Sequence, residues 1–450
     1  MRLWKLGSLV VVASLAVVVA ASIASARVEQ GARTLDIYGF GSGFGRGDDV
    51  ANSLTAHAQR QLGANVEYDN PRGGFNDQAF LTMLASRNVP DVMWVDRPRI
   101  ATYAARGALQ PLTSCIRRER INLRQYRKAA LREVTYRGQV YALPAFTNQI
   151  TILVNPTVAR QARVNINDIG TANLRKLQRA NRRLLQTDGG RVTRIGFDPK
   201  IPEFFPLWVK RFGGNIVSRN GMRAQLNSRQ AIAALTYTHG LIRAHGGWDR
   251  FKAFRDTHNW FGRTNPISEN TIGATPFESF IYNVIANNTP TAPLVPKYFQ
   301  RRGGRPITMF SGNGWAIPRG ARDPDLACKW AKHMTSVPAW VSAARNRLEI
   351  RRRQNEAFTG LYTANVRADN FILRRVYDPM GRPQFNRAVR LLYNAPRYAF
   401  AVPPSPASFE LRQAYIDAIN RVLAGQQTPR QALNQAQREA QAAINRNRRR

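Results

Sequence analysis

Acidic residues are scarce in this 450-residue sequence, which has 28 Asp and Glu against 67 Lys and Arg and a formal net charge of +39. Glycoside hydrolysis needs a pair of positioned carboxyl groups, for which few acids are available. The five histidines form no His-Glu-x-x-His pattern, and neither a Gly-x-Ser-x-Gly elbow nor a phosphate-binding loop occurs. These absences disfavour a glycosidase, a metal hydrolase and a serine hydrolase.

Cysteine is almost absent too, since Cys115 and Cys328 are the only two. They do not form a Cys-x-x-Cys pair, which excludes a zinc ribbon and a thioredoxin-type redox site. In an exported chain two cysteines permit one disulfide, and the alternative is two buried thiols.

Long apolar runs are missing except at the start, where an uncharged stretch extends over residues 6–26. Arg2 and Lys5 precede it, and Ala24-Ser25-Ala26 is a small-x-small cleavage site. This order of features predicts an export signal over residues 1–26, with an uncleaved anchor as the alternative. No cysteine lies near the site to carry a lipid, so we expect a periplasmic or extracellular protein.

The excess of arginine has three interpretations. It is spread over nearly every segment, with denser runs at 117–120, 351–353 and 446–450. A solvated Arg-rich surface is one interpretation, and an anionic partner such as an acidic surface or a phosphorylated ligand is the second. The third is nucleic acid, although nucleic-acid binders usually concentrate their charge in a patch or arm.

The region after the signal alternates strands and helices. We predict strands at 34–39, 65–68 and 91–95, and helices from Asp48 or Asp49 to Gln61, from Asn76 to Ser86, and from Pro98 to Gly107. This order favours a parallel sheet covered by helices on both faces.

Two features follow the ends of these predicted strands. Trp94 and Asp96 close the third strand, and the glycine-rich loop Gly39–Gly47 follows the first. Ligands of open α/β sheets bind beyond the carboxyl ends of the strands. The loop lacks the Gly-x-Gly-x-x-Gly spacing of dinucleotide sites, so it is either a close-approach loop for a ligand or a plain surface loop.

Further along, residues 141–155 read as a crossing between domains, with a buried strand at 150–154. A mainly helical region follows, with helices at 168–186 and 228–245. Residues 312–318 read as a strand that returns to the first domain, followed by a helix at 324–335, and 429–445 predict a surface helix.

Several phrases in this order resemble the extracellular solute-binding proteins of ABC importers, the class that captures sugars and oligosaccharides and includes maltose-binding-like proteins. They are DVMWVDRPRIATYAARGALQPL at 91–112, YALPAFTNQITILVNP at 141–156, the helix pair at 212–246, the return at 312–335 and LAGQQTPRQALNQA at 423–436. The likeness covers nearly all of the chain after the signal.

The resemblance implies an α/β fold of the two-lobed periplasmic-binding-protein (Venus-flytrap) kind, type II-like, in which each lobe is a mainly parallel sheet flanked by helices. We expect lobe 1 to comprise 27–145 and 314–352, lobe 2 to comprise 146–313 and 353–445, and 446–450 to be a disordered basic tail. The function implied is capture of a carbohydrate or related polar solute by a monomer and its delivery to ABC permease subunits, without catalysis, cofactor, metal or nucleic acid.

Strand ends and the resemblance together select ten candidate ligand-binding residues. They are Phe40, Ser42, Trp94, Asp96, Asn148, Trp208, Phe277, Glu278, Asn313 and Trp315. Aromatic rings stack on sugar rings, and amides and carboxylates bind hydroxyls. Each also has a structural interpretation: the rings as core residues, Asp96 as a helix cap, and Glu278 as the partner of an arginine.

Weaker candidates and other functions stay open at this point. Tyr282 and Tyr362 are weaker ligand-binding candidates, and for an anionic ligand Arg46 and Arg97 are the best-placed cations. The alternative functions are an exported cationic protein that binds nucleic acid or an envelope polyanion, and a glycan-active enzyme.

Overall fold

The computed structural model describes residues 33–40, 48–69 and 74–448. The predicted export signal, Ser42, Arg46 and most of the glycine-rich loop lie outside these residues. Two large sheets organise the described chain, and each has its own hydrophobic core; a third sheet has only two strands. We call the body around the five-stranded sheet lobe 1 and the body around the seven-stranded sheet lobe 2.

Fourteen strands are present in the described residues. In chain order they are β1 Thr34–Tyr38, β2 Asn65–Asp69, β3 Val92–Asp96, β4 Thr135–Tyr136, β5 Gln139–Val140, β6 Ala142–Pro144, β7 Asn148–Val154, β8 Gln186–Asp188, β9 Arg191–Phe197, β10 Ile272–Glu278, β11 Val295–Gln300, β12 Pro306–Ser311, β13 Asn313–Ala316 and β14 Ala399–Phe400.

Seventeen α-helices surround these strands in the same part of the chain. They are α1 Asp49–Leu62, α2 Asp77–Ala85, α3 Arg97–Ala105, α4 Thr113–Arg118, α5 Lys128–Glu133, α6 Pro156–Gln161, α7 Leu174–Leu184, α8 Phe205–Arg211, α9 Arg229–Arg243, α10 Trp248–Arg255, α11 Phe280–Asn288, α12 Pro324–Met334, α13 Val337–Arg353, α14 Val366–Arg375, α15 Pro383–Asn394, α16 Ser408–Leu423 and α17 Pro429–Arg448. None of the described helices is long and apolar enough to pass through a bilayer.

The start of lobe 1 follows the predicted strand-and-helix order because its helix ends carry capping residues. The Asp48 carboxylate accepts hydrogen bonds from the first turn of α1, and Gly63 ends that helix in the left-handed conformation at φ +57°. Asn76 caps α2 in the same way, and Pro98 lies in the first turn of α3.

The sheet of lobe 1 has the strand order β2-β1-β3-β13-β6. Strands β1, β2 and β3 are parallel, whereas the returning strand β13 is antiparallel to β3 and pairs Asn313 with Asp96. The predicted return to the first domain is therefore confirmed. A disulfide between Cys115 of α4 and Cys328 of α12 joins two helices of this lobe, so the cysteines are bridged and not free.

The sheet of lobe 2 has the order β14-β12-β11-β7-β10-β9-β8. Only the β9–β10 and β12–β14 pairs are parallel, so the expectation of a mainly parallel sheet is wrong for this lobe. The reason is that β7, which enters from lobe 1, pairs antiparallel with β10, β11 and β12. The β8–β9 and β11–β12 pairs are antiparallel as well.

Two boundaries differ from those expected. Helix α14 packs in the core of lobe 1, where Ala368 and Ile372 are buried, although residues 353–445 were all expected in lobe 2. The buried ion pair between Arg127 and Asp369 holds α14 there. At the C-terminus α17 extends through Arg446 to Arg448, because Ile444 is buried and Asn447 donates a hydrogen bond to Glu410.

Candidate functional site

A cleft with a volume of about 740 Å³ lies between the two lobes. Residues from lobe 1, from lobe 2 and from the segments that connect them line its walls. This position is the one expected for a ligand in a two-lobed α/β protein, beyond the carboxyl ends of the parallel strands of lobe 1.

The wall of lobe 1 is built where strands end. Gly39 follows β1, and Trp94 and Asp96 lie at the end of β3. Asn313 begins β13 directly opposite Asp96. Phe75, just before α2, also lines this wall, and its ring centroid lies 5.6 Å from the guanidinium carbon of Arg99.

The wall of lobe 2 is formed by the start of β7 and by the chain around α11. The Ser279 hydroxyl donates to the side-chain oxygen of Asn148 over 3.2 Å and accepts from the backbone N–H of Gln149. Phe280 and Asn283 follow on α11. Phe261 stacks on Phe280 with parallel planes and a centroid distance of 6.3 Å, yet 64% of its surface is exposed.

The segment at 359–362 closes the third side of the cleft. The Tyr362 hydroxyl donates to the carbonyl of Thr359 over 2.6 Å, which fixes the ring against the segment's own backbone. Trp94 forms the floor of the cleft and stacks on Phe146 at a centroid distance of 5.7 Å. The cleft therefore presents aromatic rings on more than one side and amide groups between them.

The charged groups on the walls are paired with each other. Arg347 bridges Asp48 and Asp49. Arg99 bridges Asp96 over 3.1 Å and Asp77 over 3.2 Å. Among the described residues, the cleft lining contains two carboxylates, of Asp48 and Asp96, and two guanidinium groups, of Arg99 and Arg347, so the charges of this described lining balance despite the net charge of the chain.

Glu278, at the end of β10, precedes the cleft residue Ser279 by one position. Burial raises the pKa of the Glu278 carboxyl above its ordinary value of 4.5, and a hydrogen bond with Ser311 and the nearby Lys200 ammonium partly oppose the rise. Among the described residues, no group of three or more His, Cys, Asp or Glu side chains could hold a metal ion.

Comparison with known proteins places the chain in a family. The family model described as bacterial extracellular solute-binding protein matches residues 48–339, which is more than half of the chain. The chain belongs to this family. A curated relative of this solute-binding protein is the maltodextrin-binding protein MdxE of Bacillus subtilis (strain 168), 23% identical over 256 residues. That match covers 55% of this chain and 56% of MdxE, so the chain spans about half the length of that relative.

Solved structures share the fold of this solute-binding protein. CpMnBP1 with mannotriose bound has a TM-score of 0.73 at 18% identity and covers 91% of this chain and 100% of its own. The maltose/maltodextrin-binding domain MalE from Bdellovibrio bacteriovorus, bound to maltotriose, has a TM-score of 0.69 at 15% identity, with 92% and 100% covered. The GacH receptor of Streptomyces glaucescens has a TM-score of 0.70 at 14% identity, with 92% and 99% covered. These likenesses confirm the two-lobed fold.

Four of the ten sequence-predicted residues of this solute-binding protein lie on the cleft wall. They are Trp94, Asp96, Asn148 and Asn313. Asp96 makes no capping hydrogen bond to α3 and instead pairs with Arg99, so the interpretation of Asp96 as a helix cap is wrong. Tyr362, a weaker candidate, lies on the wall too. Their contact with a ligand stays a prediction.

Other predicted rings lie in the cores instead. Phe40 and Trp315 pack under Trp94, and Trp315 has no exposed surface. Trp208 is fully buried in lobe 2 because its ring packs against Phe197 and Phe299, and its indole N–H donates to the carbonyl of Pro199. Phe277 is 6% exposed beneath Trp260. These four were expected in the site from the strand-end rule and the resemblance, Trp208 as a residue on a helix of the second lobe. Aromatic residues at such positions serve cores and clefts equally well.

Two further candidates are also removed from the cleft wall. Tyr282 is fully buried and shares a hydrogen bond with Thr151 over 3.0 Å. Arg97 has no exposed surface and forms a buried ion pair with Glu133, so it is not a cation for an anionic ligand in the cleft. Glu278 lies beside the cleft, outside its lining.

Sequence reasoning missed most of the lobe 2 wall and the ion pairs. The missed lining residues include Phe75, Arg99, Phe261, Phe280, Asn283 and Arg347. The sequence carried one signal for this wall, since Trp260-Phe261-Gly262 places two aromatic residues in a polar loop with no apolar periodicity. Arg347 lies at least 248 positions along the sequence from every other charged lining residue among those described, and no sequence pattern predicts its approach to Asp48.

Proposed function

We propose that this protein is an exported receptor that captures a carbohydrate in the cleft between its lobes and delivers it to an ABC importer. The observation that carries the proposal is the chemistry of the cleft: aromatic rings on opposite walls, neutral amides between them, and charges that balance. Sugar rings present apolar faces to aromatic rings and hydroxyls to amides and carboxylates. A neutral sugar needs no net charge from its site.

The related proteins support this choice of ligand class. CpMnBP1 was solved with mannotriose, the Bdellovibrio MalE domain with maltotriose, and the Bacillus relative is a maltodextrin-binding protein. The volume of about 740 Å³ falls inside the roughly 300–1,000 Å³ typical of small-molecule sites. We therefore place the ligand among neutral oligosaccharides and related polar solutes.

Capture follows from how the walls are built. Trp94 and Phe75 line the cleft from lobe 1, and Phe261 and Phe280 line it from lobe 2, so a sugar held by one lobe meets rings of the other when the lobes approach. Asn148, Asn283 and Asn313 offer both donors and acceptors to hydroxyl groups. The ligand shifts the balance between open and closed forms only by the difference in its affinity for them.

The remaining parts of the proposal concern cell biology. We propose that the protein acts outside the cytoplasm as a monomer, that permease subunits receive its ligand, and that it performs no catalysis. The family description as extracellular solute-binding supports the first of these.

A thermal-shift screen tests the proposal. Maltotriose, mannotriose, shorter sugars, polyols and sugar phosphates are added to the purified protein. We expect Tm to rise with at least one neutral saccharide in a concentration-dependent manner. No rise with any neutral saccharide, or release of reducing sugar from a glycan, contradicts it.

A second candidate function, binding of an anionic envelope polymer, is favoured by helix α7. Its exposed residues include Arg175, Lys176, Arg179, Arg182 and Arg183, and Lys176 alone among these has an acidic partner within 4 Å in the described chain, Asp168. Like charges three and four residues apart disfavour a helix by ~0.2–0.5 kcal/mol per pair. A bound polyanion relieves that repulsion.

Affinity for polyphosphate at two salt concentrations tests this second function. A variant with Arg175→Gln, Arg179→Gln and Arg183→Gln is compared with one carrying Arg353→Gln, Arg367→Gln and Arg374→Gln on lobe 1, which loses the same charge. Binding through α7 weakens in the first variant and persists in the second. Equal loss in both identifies general attraction to a cationic protein, and a preference for DNA over polyphosphate favours nucleic acid.

A further inference from the structure

A two-stranded ribbon runs from one lobe into the other. In lobe 1, β6 pairs antiparallel with β13, and in lobe 2, β7 pairs antiparallel with β12. The same two chain segments therefore cross side by side. Between the paired parts lie residues 145–147 on one segment and 312–313 on the other, which we call the joint.

The regular ladder is interrupted at the joint, so its carbonyl groups need other donors. The backbone N–H of Ala145 donates to the carbonyl of Asn313 over 3.0 Å. The segment at 361–364 covers the other side, since the backbone N–H of Thr147 donates to the carbonyl of Tyr362 over 3.1 Å. The carbonyls of Phe146, Ser311 and Gly312 accept hydrogen bonds from a residue outside the two segments.

Arg97 supplies the donors for these carbonyls. Its Nη1 donates to the carbonyl of Phe146 over 2.6 Å and to that of Asn313 over 3.4 Å, and its Nη2 donates to the carbonyl of Ser311 over 3.2 Å. Its backbone N–H donates to the carbonyl of Gly312 over 3.2 Å. One residue thus binds both crossing segments where they leave lobe 1.

The guanidinium is itself anchored in lobe 1. Arg97 begins α3 and has no exposed surface, and its Nε donates to the Glu133 carboxylate of α5 over 2.8 Å. A planar guanidinium offers its donors in a fixed fork, which a lysine ammonium cannot reproduce. The Glu133 charge compensates a cation that would otherwise be buried without a partner.

Gly312 shows how closely the guanidinium fits. A Cβ atom at this residue would lie 2.5 Å from Arg97 Nη1 and 2.5 Å from the carbonyl oxygen of Phe146. Its φ of +141° also favours glycine. The one-residue link between β12 and β13 is therefore shaped around the Arg97 side chain.

We propose that Arg97 is the positioning residue of the hinge. Its side chain is held in lobe 1 by Glu133 and binds carbonyls of both crossing segments, so it sets the relative orientation of the two lobes in the absence of ligand. This role goes beyond capture of a solute and does not depend on which solute is bound. Rotation of one lobe against the other must change backbone dihedrals at the joint, and Arg97 limits which of these dihedrals can change.

The test is the distance between the lobes of the ligand-free protein, measured between two spin labels by pulsed electron paramagnetic resonance. Spin labels are placed on the exposed positions of Ser342→Cys in lobe 1 and Thr187→Cys in lobe 2, and the native cysteines do not react because they form the disulfide. Arg97→Lys keeps a cation for Glu133 but loses the fork. We expect a shifted or additional distance population in Arg97→Lys.

The matched control is Arg211→Lys. Arg211 is 7% exposed and donates to the carbonyls of Thr171 and Ala172, all within lobe 2. Arg211→Lys loses buried hydrogen bonds to backbone carbonyls, as Arg97→Lys does, but Arg211 makes none of them to the joint. We therefore expect a lower Tm and an unchanged distance distribution.

Two outcomes overturn the proposal: a wild-type distribution in Arg97→Lys, or the same change in Arg211→Lys. If Arg97→Lys does not fold, Glu133→Gln is measured in its place, because this change removes the carboxylate that holds the Arg97 guanidinium and alters no residue of the joint. A shifted distribution there supports the role of Arg97, and an unchanged one contradicts it. Since no sugar is added, the result is independent of the sugar-binding screen.

Discussion

Aromatic side chains of this protein perform distinct tasks that depend on their depth. Trp315 lies under the floor of the cleft with no exposed surface, and Trp94 forms that floor with 4% exposed. Phe261 lies on the rim of lobe 2 with 64% exposed. A ring that is held in place by Phe280 and yet faces water has its surface free for a ligand.

Phe261→Ala should therefore weaken sugar binding while leaving the fold unchanged. Aromatic stacking contributes ~0.5–1.5 kcal/mol, which corresponds to an affinity lower by about 2- to 10-fold. Calorimetric titration with maltotriose or mannotriose measures it. Phe371→Ala is the control, because Phe371 is also exposed, at 38%, but lies on α14 outside the cleft. Equal affinities for both variants would remove Phe261 from the site.

Glu278 gives the protein a pH dependence of predictable sign. Burial raises its pKa above 4.5, so the folded state holds this proton more tightly than the unfolded chain does. The contribution of Glu278 to stability is complete below pH 4.5 and is lost as the pH rises through the folded-state pKa.

Replacing the Glu278 carboxyl by an amide should remove the loss of stability that wild type shows as the pH rises. Relative to wild type, Glu278→Gln should gain stability as the pH rises above the ordinary value of 4.5, measured as urea midpoints across the pH range. Glu349→Gln, at an exposed position of α13, is the control and should follow wild type. A constant difference between Glu278→Gln and wild type at every pH would show that the carboxyl does not titrate in this way.

At the scale of elements, local chemistry determined how much could be predicted. The first three strands and helices were predicted within a few residues because Asp48, Gly63 and Asn76 act on neighbouring backbone. The predicted helix at 168–186 is instead a short turn followed by α7, since Asn173 caps the second part separately.

Long-range pairing could not be predicted from such signals. The direction of β7 against its neighbours, the packing of α14 in lobe 1 and the approach of Arg347 to Asp48 all depend on contacts between segments far apart in sequence. Trp94, at a predicted strand end, and Trp208, on a predicted helix, were both candidates for the site and for the core. Only the packing of the sheets shows that Trp94 lies on the cleft wall and Trp208 in the core.

The disulfide between α4 and α12 is the covalent link at this scale. It joins residues 213 positions apart, so it constrains much of the unfolded chain. Replacing both cysteines, Cys115→Ala with Cys328→Ala, should lower the free energy of unfolding by about 2–5 kcal/mol. Dithiothreitol should lower the Tm of wild type and leave that of the double variant unchanged. A reductant-insensitive wild type would contradict the contribution of this bond.

On the scale of the whole molecule, the excess positive charge lies apart from the proposed binding cleft. The chain carries a net charge of +39, whereas the carboxylates and guanidiniums that line the cleft in the described residues balance. The positive charge in the described residues therefore lies outside the cleft, on faces such as that of α7. Long-range attraction of anions to such faces is screened by salt, whereas stacking and neutral hydrogen bonds in a closed cleft are much less affected.

The central claim, that a charge-balanced cleft holds a neutral oligosaccharide, is tested most directly by calorimetric titration at low and high salt. We predict saturable binding of maltotriose, mannotriose or a related neutral saccharide at one site per chain, with the same Kd at both salt concentrations. Absence of binding by every neutral saccharide, together with an anionic ligand whose affinity falls as salt is added, would contradict the account.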